Sequence, residues 1–141
     1  MTLLDGDRVA SVANGTIAKN LIQAPETLTL TDDWSAADYL FDADDKSKIR
    51  VYEADAGTDR ESSVTDIANH GRDVTDQWTI TMEGTTVTAT AGQTYREGLK
   101  GLKTAKQVTL LIPGKAAYAN GKGTGQVRDD FGKQSSDALS F

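Results

Sequence analysis

Three ionisable side chains in this sequence fall on faces that otherwise carry apolar residues. In "TLTLTDDW" (27–34), strict alternation puts Asp32 with Leu28, Leu30 and Trp34, while Thr27, Thr29, Thr31 and Asp33 take the other face. In "TIAKNLI" (16–22) the same rule sets Lys19 beside Ile17 and Leu21, and in "SDALSF" (136–141) it sets Asp137 beside Leu139 and Phe141. Burial raises the pKa of a carboxylic acid and lowers that of an amine. An apolar pocket holding all three groups would therefore present a neutral lysine as nucleophile and a protonated acid able to polarise the carbonyl under attack. These are the ingredients of a spontaneous intramolecular isopeptide bond. The competing reading is simpler: the strand ends at Thr31, both aspartates are turn residues in water, Lys19 snorkels from a strand end, and Asp137 is a terminal turn residue.

Other constellations carry less. "DADDKSK" (42–48) has Asp42, Asp44 and Asp45 at a spacing that Ca2+ loops use, but it lacks their sharp-turn glycine and terminal bidentate glutamate, and a solvated acidic turn explains the same residues. The only histidine, His70, lies in the polar stretch "NHGRD"; with Asp66 or Asp73 it is the one conceivable catalytic base. Ser62 and Ser63 have no nucleophile-elbow context, and no dinucleotide or phosphate-binding glycine loop is present. No cofactor is expected. Trp34, Trp78 and Tyr118 are the candidate stacking platforms if the chain binds a carbohydrate or another ligand.

The elements that must position these groups read as strands. Short alternating segments rich in threonine, β-branched and aromatic residues recur at 8–13, 16–22, 27–34, 48–54, 77–83, 85–91, 106–113 and 136–141. "QWTITMEGTTVTATAG" predicts a hairpin turning at Glu83-Gly84, with Trp78, Ile80 and Met82 facing Val87 and Ala89. Helical signals are limited to one turn in "SAADYLF" and to "TYREGLKGL" (94–102), where Tyr95, Leu99 and Leu102 share a face. Residues 55–73 and 114–135 read as long polar loops. The expected fold is all-β: an immunoglobulin-like β-sandwich with one or two short helical turns, formed as a single domain over 1–141.

Bulk composition narrows the partners. The 141 residues are enough for one real core, and the net charge of −6 comes without a basic cluster. Nucleic acid and anionic membrane are therefore not expected as partners. The absence of cysteine excludes disulfides and thiolate chemistry. The N-terminal stretch has neither the basic nor the apolar region of a secretion signal, so the chain is expected to be either cytoplasmic or one domain of a longer exported protein.

Three motifs together resemble the isopeptide-forming, immunoglobulin-like domains of Gram-positive surface adhesins, in particular the C-terminal domains of the streptococcal antigen I/II type and related actinobacterial domains. They are the threonine-rich strand entering "LTDDW", the central "DVTDQWTI", and the late "QVRDDFG" before the last strand. The resemblance implies a lysine on the first strand joined to an asparagine on the last, assisted by an aspartate of the Asp32-Asp33 pair, with Trp34 in the aromatic position. It further implies an extracellular, cell-surface module whose partners are neighbouring domains of the same protein and a protein or glycan ligand. The sequence departs from the family in two places. No lysine precedes Lys19, and Asp137 stands nearest to the expected asparagine. Either the cross-link has been lost, or Asp137 replaces the asparagine, or a terminal strand lies outside these residues. In the last case the domain would accept a complementary strand peptide.

Overall fold

The computed structural model describes residues 6–35, 40–56, 71–117 and 139–140. The chain is mainly β and forms two antiparallel sheets, as expected for a sandwich. The first sheet contains β1 (Arg8–Ile17), β3 (Leu40–Ala43), β4 (Arg50–Asp55), β5 (Arg72–Asp73) and β8 (Lys106–Ala117). β8 is its spine, with β1 along one side and β3 followed by β4 along the other, while β5 extends the sheet beyond β4. The second sheet runs β6-β7-β2-β9, from β6 (Trp78–Glu83), β7 (Thr86–Ala91), β2 (Thr29–Asp33) and β9 (Leu139–Ser140).

The predicted hairpin forms with the expected pairing: Trp78 opposite Ala91, Ile80 opposite Ala89, Met82 opposite Val87. Its loop is Gly84-Thr85, one residue later than predicted, because only glycine readily supplies the positive φ (58°) needed at the first loop position. Across the outer face of this sheet Thr29, Thr90 and Thr79 stand in one row and Thr31, Thr88 and Thr81 in the next. The inner face carries Leu28, Leu30, Val87 and Ala89, all buried. They meet Ala13, Ile17, Val51, Val108, Leu110 and Ile112 from the first sheet in one shared core.

Two differences from the sequence expectation have local causes. β8 continues past Pro113 to Ala117, although a proline in a central strand removes a ladder donor. The Pro113 carbonyl accepts from the Asp44 amide (2.9 Å), so its missing N–H faces the interval between β3 and β4, where the neighbouring strand is interrupted by a 3-10 turn at Lys46–Lys48. The proline thus falls where no ladder partner is required. β1 is one ten-residue strand ending at Ile17, not two separate strands. The chain then turns at Asn20 (φ 59°), whose amide donates to the Leu102 carbonyl (2.6 Å). "SAADYLF" does not end in a helical turn, since Leu40 and Phe41 already belong to β3. Helix α1 (Gln93–Glu97) is short and is followed by Gly98.

Candidate functional site

Asp32 is fully buried on the inner face of β2, so the aspartate pair divides between core and solvent. Strand β1 meets it with Ser11, also fully buried, whose Oγ donates to Asp32 Oδ2 at 2.7 Å across the gap between the sheets. Asp32 Oδ1 has no hydrogen-bond partner among the described residues. Desolvation pushes the Asp32 carboxyl up to about 6, although the Ser11 hydrogen bond acts in the opposite direction. Near neutral pH the interior therefore holds an acid that takes up or loses a proton within one pH unit of its surroundings. Asp33 is exposed and accepts from the Ser35 amide (2.9 Å) and the Thr85 hydroxyl (3.0 Å), which hold its pKa below the ordinary carboxylate value.

The expected lysine is not at this site. Lys19 is exposed and lies beyond the end of β1, because the strand alternation that would have turned it inward stops at Ile17. Asp137 lies outside the described residues, as do His70, Asp66, Ser62, Ser63 and Tyr118. Asp73, the other candidate partner of His70, accepts from the Thr75 amide and hydroxyl at 3.0 and 2.6 Å.

The acidic turn does not form a metal cage. Asp42 is exposed opposite Lys115 in the β3–β8 ladder, Asp44 is paired with Arg8 (2.5 Å), and Asp45 accepts from the Ser47 amide (3.0 Å) to cap the 3-10 turn. Among the described residues no group of three or more His, Cys, Asp or Glu is arranged to hold a metal ion. Trp34 and Trp78 are each 6% exposed. Trp34 packs edge-on against Phe41 (5.2 Å) and Trp78 against Tyr95 (5.2 Å), so both rings are core material rather than stacking platforms.

A second inward carboxylate was missed by the sequence reading although the same alternation rule exposes it. In "KIRVYEA", Glu53 shares the face of Ile49 and Val51, both buried. Glu53 opens into a cleft of about 240 Å3 lined also by Arg72, Tyr95, Leu99, Leu102 and Lys106. Tyr95, on α1, is 5% exposed and donates its hydroxyl to Glu53 Oε1 at 2.5 Å. Burial, followed by this hydrogen bond, pushes the phenol pKa upward, so Tyr95 remains a donor throughout the physiological range. Arg72 faces the second carboxylate oxygen at 3.5 Å, while Lys106 is committed to Asp55 at 2.7 Å. α1 is held in place by Arg96, whose guanidinium donates to the Glu26 carbonyl (2.6 Å) and the Pro25 carbonyl (3.2 Å).

Ser11 was missed as well. In "RVASVA" it lies in line with Val9 and Ala13, and a small hydroxyl residue in such a strand gives no signal until its partner is known. No family model matches the chain, and no curated protein matches it at a significant level.

Proposed function

We propose that the chain is a structural, adhesin-type module of a bacterial cell-surface protein, an immunoglobulin-like sandwich that holds neighbouring domains or a ligand-binding region away from the cell. The observation that carries this reading is the Ser11–Asp32 bond, a buried polar tie from the first strand of one sheet to the opposing sheet. It agrees with the resemblance in using the inward member of the Asp32-Asp33 pair. It departs from the resemblance in chemistry, since a serine hydroxyl, rather than a lysine amine, meets the acid, and Lys19 is exposed. The version proposed is therefore a module held by packing and a hydrogen bond, without an amide cross-link through Lys19.

Intact-mass measurement with peptide mapping tests the chemistry. A mass equal to the sequence is expected; loss of one water, with the Lys19 and Asp137 peptides joined, would restore the covalent version. Single-molecule pulling from the two ends of the chain tests the mechanical role. Asp32→Ala is expected to lower the unfolding force, and an unchanged force would remove the load-bearing interpretation.

A second reading, a ligand-binding sandwich, is favoured by the cleft that Glu53 and Tyr95 line. It does not use the tryptophans, which are buried. Saturable binding of a small molecule that perturbs α1 would support it.

A further inference from the structure

The geometry points to a zwitterionic ligand for the Glu53–Tyr95 cleft: a free α-amino acid with an apolar side chain. This inference rests on the ligand-binding reading above and specifies its chemistry. Ligand sites for drug-sized molecules begin at roughly 300 Å3, and this cleft, at about 240 Å3, takes something smaller. Its apolar part is formed by Tyr95, backed by Trp78, together with Leu99 and Leu102. These residues can receive an aliphatic or aromatic side chain.

Its polar part has two charges of opposite sign with unused capacity. An ionised carboxylate has about four acceptor sites; among the described residues Glu53 accepts one hydrogen bond, from Tyr95, and lies 3.5 Å from the Arg72 guanidinium. That separation is beyond an ordinary hydrogen bond. The Glu53 side chain is 11% exposed, whereas the Arg72 side chain is 69% exposed at the rim, so Arg72 can reorient towards an incoming anion while Glu53 stays fixed. Lys106 is already paired with Asp55 and adds no free cation.

An ammonium group on Glu53 and a carboxylate held bidentately by Arg72 satisfy both charges and leave the complex as neutral as the empty cleft. An amine alone would compete with Arg72 for Glu53. An acid alone would meet Glu53 at short range. The zwitterion avoids both penalties, and the third substituent of its α-carbon lies over the apolar residues.

Gly98 provides a clean control. It has helical backbone angles (φ −70°, ψ −10°), and a Cβ there would meet only the Tyr95 and Thr94 carbonyl oxygens, at 3.5 and 3.6 Å, which is ordinary contact. The backbone at Gly98 therefore accepts a Cβ, and Gly98→Leu places a side chain at the cleft lining. Glu53→Gln keeps an acceptor for Tyr95 but removes the charge.

The test is an amide-resolved NMR titration of the full chain with L-leucine, 3-methylbutylamine and 4-methylpentanoate. Leucine is expected to shift the amides of residues 94–99, Glu53 and Arg72 with at least tenfold higher affinity than either singly charged analogue. Glu53→Gln and Gly98→Leu, each with an otherwise unchanged spectrum, are expected to weaken leucine binding at least tenfold. Equal binding of all three molecules would overturn the charge-pair inference and leave a generic ligand cleft standing. Absence of shifts with any of them would remove the ligand-binding reading as well. If Glu53→Gln fails to fold, Gly98→Leu decides whether the shifts arise in this cleft.

Discussion

Asp32 carries a charge that its surroundings disfavour, and the consequence can be measured as a function of pH. Its folded pKa is raised from 3.8 to about 6, so the folded state retains a proton that the unfolded state loses. The stability contribution is fully present below the unfolded value and declines as pH rises from about 4 to about 6. At roughly 1.4 kcal/mol per unit, the whole change is about 3 kcal/mol. Urea denaturation between pH 4 and 8 is expected to show this decline, and Asp32→Asn is expected to flatten it. A wild-type profile that is level or rising over that window would show that another group dominates. Ser11→Ala tests the other half of the pair. It removes the hydrogen bond to Asp32 Oδ2, leaving both carboxyl oxygens without a donor among the described residues, and should cost about 1–3 kcal/mol at pH 7. The same variant should move the end of the pH-dependent loss to a higher pH and leave its onset, which the unfolded chain sets, unchanged, because Ser11 is the contact that favours the ionised form in the folded state.

At the scale of elements, β3 and β4 together flank one side of β8 as an interrupted neighbour, and at Gly114 β3 lies close against it. A Cβ at Gly114 would lie 2.5 Å from the Asp42 carbonyl oxygen and 2.6 Å from the Phe41 ring. Phe41 cannot move away freely because it is packed against Trp34, and the carbonyl belongs to the backbone of β3. Gly114→Ala should therefore destabilise by about 1–3 kcal/mol through overpacking, measured by thermal or urea unfolding. A neutral result would mean that β3 separates from β8 without loss. The strand interiors were largely legible in the sequence, since period-two alternation gave β2, β4, β6 and β7 to within two residues. The continuation of β8 beyond Pro113 was not legible. Whether a proline is tolerated depends on which neighbour its missing donor faces, and that is a property of the assembled sheet.

The whole molecule is organised around a core shared by both sheets, and both tryptophans belong to it. Neither sheet can lose its partner without exposing its own apolar face, so unfolding should be a single cooperative transition. Far-ultraviolet circular dichroism and tryptophan fluorescence are expected to give coincident midpoints, with a blue-shifted native emission that moves to the red on unfolding. Separate midpoints would indicate that the sheets unfold independently. The net charge of −6 opposes self-association of the folded molecule by like-charge repulsion.

The sequence by itself determined the mainly β class and the central hairpin with its facing pairs, because each follows from side-chain alternation over a few consecutive residues; it left Asp32 open between an inward strand position and a turn residue in water, and the extension of β2 to Asp33 decided for the former. It pointed Lys19 inward by the same rule and failed there, since alternation holds only as long as the strand does, and β1 ends two residues earlier. Only the tertiary structure decided that Ser11 meets Asp32, that Tyr95 reaches Glu53, and that the three turn aspartates go to separate positions. Ser11 and Asp32 are 21 residues apart and Glu53 and Tyr95 are 42 apart. Contacts of that range depend on how the two sheets and α1 pack against one another, which no local periodicity encodes.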